Sequence, residues 1–113
     1  MRIKRFKLKD NVTKEQLIKS GFRHGGAYVK TDAKWVLWRD FDWYSINIVF
    51  SENISDWNDF DCVLVLDEDF GQPYIPFYDS IDKDVIDSST LGGVVKNYNK
   101  FMSDLDIFEE IKE

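Results

Sequence analysis

The apolar residues near the C-terminus constrain this chain more than any other feature. Leu91, Val94, Val95, Tyr98, Phe101, Met102 and Leu105 recur at i, i+3, i+4, i+7, i+10, i+11 and i+14. That spacing predicts one apolar helical face. A helix with such a stripe must bury it against a second layer. Ser88, Ser89 or Thr90 can cap it. Gly92 and Gly93 fall in its first turn, where they weaken it or let it approach a neighbour closely. Leu105, Phe108 and Ile111 continue the apolar pattern to the end of the chain.

The second layer reads as strands. RIKRFKLK (2–9) alternates, with Phe6 and Leu8 on one face. A short helix follows over DNVTKEQLIKSGF. Thr13 is its N-cap, Gln16 closes a capping box, and Val12 and Leu17 form a hydrophobic staple. Gly21 takes the left-handed position after its last turn, with Phe22 folding back on Leu17. RHGG (23–26) reads as a loop, AYVK (27–30) as a strand, TDAK (31–34) as a turn and WVLWR (35–39) as a strand. RDFDW (39–43) is a turn region. YSINIVFS (44–51) places Tyr44, Ile46, Ile48 and Phe50 on one face and Ser45, Asn47 and Ser51 on a wet one. Residues 51–61 form a polar connection. CVLVL (62–66) is apolar throughout, as in a central strand covered on both faces. DEDFG (67–71) is turn-like, and the prolines of QPYIPFYD (72–79) confine it to an edge or a bulge. The expected fold is α+β in one domain over residues 1–113. It has one antiparallel sheet of five or six strands, a short N-terminal helix, and a long C-terminal amphipathic helix packed on the sheet.

Composition agrees with one folded core: 113 residues, 43% hydrophobic and 16% aromatic. A single cysteine, Cys62, excludes an internal disulfide and points to a reducing compartment. The basic start, MRIKRFKLKD, has no apolar run behind it, so it does not read as a secretory signal. The longest apolar run is too short to span a membrane. A soluble intracellular protein is expected.

Charge is distributed unevenly. The net charge is −6, yet residues 1–34 hold ten Lys and Arg against three acids, and no basic residue occurs from Asp40 to Asp82. Folding either remixes these charges in space or leaves a field that steers a partner. Asp-x-Asp occurs five times, at Asp40/Asp42, Asp59/Asp61, Asp67/Asp69, Asp82/Asp84 and Asp104/Asp106. Any one pair is explained by the preference of Asp for turns. Together they suggest an array of outward carboxylates, one way to imitate the phosphates of a nucleic acid. The candidate partner-binding residues are Asp40, Asp42, Asp59, Asp61, Asp67, Glu68 and Asp69, with Trp43 and Trp57. The aromatics Trp35, Trp38, Trp43, Tyr44 and Trp57 form a stacking platform for bases, a hot-spot patch for a protein partner, or core. Of Trp35 and Trp38, on opposite faces of one strand, one is expected in the core and the other exposed.

Catalytic and metal chemistry lack support. His24 and Cys62 are the only residues of their kinds. One His and one Cys cannot build a structural zinc site, and acidic surroundings raise a thiol pKa instead of activating it. DEDFG places its glycine out of phase with a calcium loop. Neither phosphate-loop motif, GxxxxGK[ST] or GxGxxG, is present. No catalytic residue, metal site or cofactor is therefore expected.

WNDFD (57–61) and VLVLDEDFGQPYIPFYD (63–79), with eleven Lys to four Arg and only two Ala, resemble small proteins carried by phages and prophages of low-GC Gram-positive bacteria. The resemblance covers most of the chain and brings no catalytic motif. It implies a small accessory inhibitor in the cytoplasm of a bacterial host, of which anti-CRISPR proteins are one type by analogy. The expected function is non-enzymatic inhibition of a basic, nucleic-acid-handling host enzyme, such as a CRISPR-Cas nuclease, by carboxylates in place of phosphates. Alternatives are an immunity or antitoxin-like protein capping a toxin, and a nucleic-acid-binding module using the basic residues 2–23. A basic edge and an acidic edge could also drive homodimerisation.

Overall fold

A computed structural model describes residues 1–24, 35–50, 63–67 and 71–112. In chain order the elements are β1 (Phe6–Leu8), α1 (Lys14–Lys19), β2 (Arg23–His24), β3 (Trp35–Phe41), β4 (Tyr44–Phe50), β5 (Val63–Asp67), α2 (Ile75–Asp79), α3 (Thr90–Asp104) and β6 (Phe108–Glu110). The fold is α+β. The expected single sheet is instead two antiparallel ones among the described residues, a four-stranded β2-β3-β4-β5 and a two-stranded β1-β6.

The helices start and stop by the local rules of the sequence. Thr13 accepts the Gln16 N–H, and the Gln16 side chain accepts the Thr13 N–H, which completes the capping box of α1. Gly21 adopts φ 108°, the Gly21 N–H reaches the Ile18 carbonyl and the Phe22 N–H reaches the Leu17 carbonyl, both at 3.0 Å. That is a complete Schellman motif. Ser89 caps α3 through the Gly92 N–H. Gly92 serves close approach: a Cβ there would meet the Asp87 carbonyl oxygen at 2.7 Å.

One face of the four-stranded sheet and the apolar face of α3 share a hydrophobic cluster with Ile3 and Phe6 of the N-terminal segment and with Phe108 of β6. Tyr98 of α3 sits at its centre, edge-on to Phe6 and Phe77. Each such fully buried large side chain contributes about 1.5–3 kcal/mol of burial free energy. Trp35 is core and Trp38 is 47% exposed, as their opposite faces require.

Five expectations are corrected. Val63–Asp67 is an outer strand of its sheet, with β3 and β4 central; an all-apolar run does not distinguish edge from centre. The second face of β4 is not wet throughout, because Asn47 and Val49 are buried. Residues 72–79 make only one bridge, Leu66 to Pro73, and then enter α2, whose first turn holds Pro76. Proline suits a first helical turn because that N–H has no helical partner anyway. The apolar pattern beyond Leu105 is not helical. Asp106 at φ 58° breaks α3, and Phe108–Glu110 turns back to pair with Leu8–Phe6. The region 23–26 was expected to be a loop, but Arg23–His24 forms β2. The expected strand 27–30, turn 31–34 and connection 51–61 lie outside the described residues. No helix of the described residues is long and apolar enough to cross a membrane.

Candidate functional site

β3 and β4 pair from Trp35–Phe50 to Phe41–Tyr44, leaving Asp42 and Trp43 as a two-residue loop. A tight hairpin needs a positive φ at its first loop residue, and Asp42 supplies φ 39°. Aromatic packing fixes the tip. Phe41 stacks on Tyr44 with centroids 5.4 Å apart and meets Phe101 of α3 edge-on at 6.0 Å. Trp43 packs against Tyr44 and Tyr74, each at 5.0 Å. Arg39 turns to this inner face, its guanidinium 5.5 Å from the Phe41 ring and 5.7 Å from that of Phe101. The one base of β3 is thus drawn away from Asp40, which alternates to the outer face.

Register then brings acids from both faces to this end of the sheet. Asp40 lies opposite Ser45, and Tyr44 opposite Asp67. A groove of about 300 Å³ is lined by Trp38, Asp40, Asp42, Tyr44, Ser45, Asp67 and Gly71. Asp40 and Asp42 are exposed, and no basic side chain among the described residues forms an ion pair with either. Tyr44 is buried and its hydroxyl accepts a hydrogen bond from Asn97 Nδ2 at 2.7 Å. Burial pushes its pKa up; the Asn97 bond opposes this and the charge of Asp42 adds to it. Chemically the groove offers carboxylates beside an exposed indole. It suits cationic side chains and repels phosphate. Among the described residues no three His, Cys, Asp or Glu side chains form a group that could hold a metal ion.

Of the candidate residues, Asp40, Asp42 and Asp67 come together here. Trp43 is not among the residues lining this groove; it is half-buried and packs edge-on against Tyr74 under the hairpin. Asp59, Asp61, Glu68, Asp69 and Trp57 lie outside the described residues, as does Cys62. His24 is exposed in β2 with its ring 4.9 Å from that of Trp35. Ser45 and Gly71 do not stand out as site residues in the sequence, and Trp38 does so only as one of the candidate platform aromatics. Strand alternation already placed Trp38 on the face of Asp40, but Gly71 reaches the groove only through the tertiary fold.

Two other Asp-x-Asp pairs are consumed inside the molecule. Asp82 and Asp84 pair with Arg5 and Arg2 at 3.0 and 3.2 Å. Asp104 and Asp106 pair with Lys100 and Lys9 at 3.0 and 3.2 Å. Asp82 and Asp106 also hold left-handed turns, at φ 68° and 58°, which Asp tolerates better than most residues. Exposed pairs of this kind contribute only about 0–1 kcal/mol each, but they cancel charge locally. Folding therefore remixes the basic N-terminus with C-terminal acids and leaves the hairpin tip acidic. A larger open depression of about 420 Å³ lies by the C-terminal ends of α1 and α3. Its lining mixes Lys19 with the already paired Asp104 and Asp106.

No protein-family model matches the chain, and no curated protein or solved structure matches it.

Proposed function

We propose that this chain is an acidic, non-enzymatic binding protein of a phage or mobile element. It inhibits a basic, nucleic-acid-handling enzyme of the host, such as a defence nuclease, by seating carboxylates where phosphates bind. The observation that carries this reading is the groove at the hairpin tip, where Asp40, Asp42 and Asp67 meet exposed Trp38. An exposed Trp is a frequent binding anchor. Carboxylates beside it favour a cationic protein surface over a nucleic acid, and they make association fast and salt-sensitive. Direct nucleic-acid binding by residues 2–23 is disfavoured, because Arg2, Arg5, Lys7 and Lys9 are all ion-paired within the chain.

The experiment is a capture from host lysate with the tagged protein and with an Asp40→Lys/Asp42→Asn variant whose fold is checked by circular dichroism. Asn retains the left-handed turn at position 42. Support would be a nucleic-acid enzyme held by the parent chain, released by high salt and by added duplex DNA, and not held by the variant. Recovery of nucleic acid itself, or of a partner indifferent to both substitutions, would overturn the reading.

A further inference from the structure

The N-terminal segment carries five cations in eight residues: Arg2, Lys4, Arg5, Lys7 and Lys9. A segment of this composition would ordinarily attract polyanions, since each phosphate it neutralises releases a condensed counterion. Four of the five are occupied. Arg2 Nε meets Asp84 at 3.2 Å, and Arg5 Nη2 reaches both oxygens of Asp82 at 3.2 and 3.0 Å. Lys7 meets Glu109 at 3.1 Å, and Lys9 meets both the carboxylate of Asp106 at 3.2 Å and its carbonyl at 3.1 Å. The acids come from three places: the loop before α3, the turn after it, and β6. Local sequence does not bring them there, because the bonded partners of Arg2, Arg5 and Lys9 lie 82, 77 and 97 residues away.

The backbone holds this arrangement in place. Asn99 of α3 accepts the Lys4 N–H at 2.9 Å and donates to the Arg2 carbonyl at 3.0 Å. β1 pairs with β6 so that Lys7 lies opposite Glu109. Ile3 and Phe6 are buried between these charged positions. The acids are thus tethered beside the cations, at an effective concentration that an external polyanion must exceed.

We infer that Asp82, Asp84, Asp106 and Glu109 act as a built-in polyanion that masks the basic N-terminal segment 2–9, so that the folded chain refuses nucleic acid. The mask is an autoinhibitory contact, separate from the acidic groove at the hairpin tip.

The test is a variant with Asp82→Asn, Asp84→Asn, Asp106→Asn and Glu109→Gln. Asn keeps the left-handed backbone at 82 and 106. Binding to a labelled DNA duplex is followed by anisotropy as salt is raised. A control carries Asp10→Asn, Glu15→Gln, Asp79→Asn and Glu110→Gln, which changes net charge equally but removes no ion pair among the described residues. The masked-segment variant should bind at least tenfold more tightly than parent and control. Its log K should fall against log salt with a slope of about −3 to −4, from about 0.9 per phosphate contact. Asp82→Asn/Asp84→Asn alone, in one exposed loop, tests the same claim with less change to the fold and should give a slope of about −2. Adding Arg2→Gln and Arg5→Gln should abolish that gain. Equal binding by the control, or no gain in the folded two-site variant, would overturn the inference.

Discussion

The hydroxyl of Tyr78, on α2, accepts a hydrogen bond from the backbone N–H of Val65, on β5, at 2.9 Å. The same hydroxyl donates to the Val63 carbonyl at 3.3 Å. Next to it, the Val65 carbonyl accepts from the Tyr74 N–H at 2.7 Å, and the Asp67 N–H reaches the Gln72 carbonyl at 2.9 Å. Residues 72–78 thus close the outer edge of β5 without forming a strand. An open edge of this apolar sequence would invite pairing with other chains.

Tyr78→Phe keeps the ring and removes both hydroxyl contacts, leaving the Val65 N–H and the Val63 carbonyl unserved. The expected loss is about 1–3 kcal/mol in urea unfolding, because an orphaned part-buried group costs its desolvation. Tyr74→Phe is the comparison: Tyr74 acts through its backbone N–H and its ring, so its change should stay within about 0.5 kcal/mol.

Alkaline pH should destabilise the fold through two phenols. Burial raises the pKa of Tyr78, partly offset by the Val65 N–H, and burial likewise raises that of Tyr44. The folded chain holds these protons at a pH where the unfolded chain has released them. Their contribution is therefore fully present below the usual tyrosine value of 10.0 and is lost as pH rises from there through the folded values. Urea midpoints should agree between pH 7 and 9 as far as these groups are concerned and fall by pH 11, as read on the scale around the tyrosine pKa of about 10. The fall should be smaller in Tyr78→Phe; an equal fall would remove Tyr78 from the explanation.

Asn99→Ala should loosen the N-terminal segment from α3. It strands the Lys4 N–H and the Arg2 carbonyl, at an expected cost of about 1–3 kcal/mol. Hydrogen exchange at the Lys4 amide should quicken more than exchange within α3. Unchanged Lys4 protection would mean that the β1–β6 ladder and the Met1–Val85 backbone bonds hold the segment without Asn99.

The adjacent glycines of α3 should respond with opposite signs. A Cβ on Gly93 meets nothing within 4 Å, so Gly93→Ala should stabilise by about 0.5–1 kcal/mol through helix propensity. On Gly92 it would collide with the backbone carbonyls of Ile86 and Asp87, so Gly92→Ala should destabilise by about 1–3 kcal/mol. Thermal melts of the two single variants decide this, and a shared sign would contradict the close approach.

The sequence by itself determined what short-range chemistry can determine. Thr13 and Gln16 close a capping box three residues apart, Gly21 supplies the left-handed exit that Phe22 needs, and Ser89 caps a helix whose apolar face repeats every turn. The opposite fates of Trp35 and Trp38 followed from strand alternation, although which of them is core did not. Tertiary structure decided the rest. Phe108 continues the helical phase of Leu105, yet it lies in a strand, because pairing with Leu8 supplies backbone bonds that no local pattern announces. The five Asp-x-Asp pairs look alike in sequence. Only the fold separates Asp82/Asp84, spent on Arg5 and Arg2, from Asp40/Asp42, which line the groove with Trp38. Local patterns fix backbone conformation within a few residues, whereas a charge takes its role from the neighbour that folding brings to it across the chain.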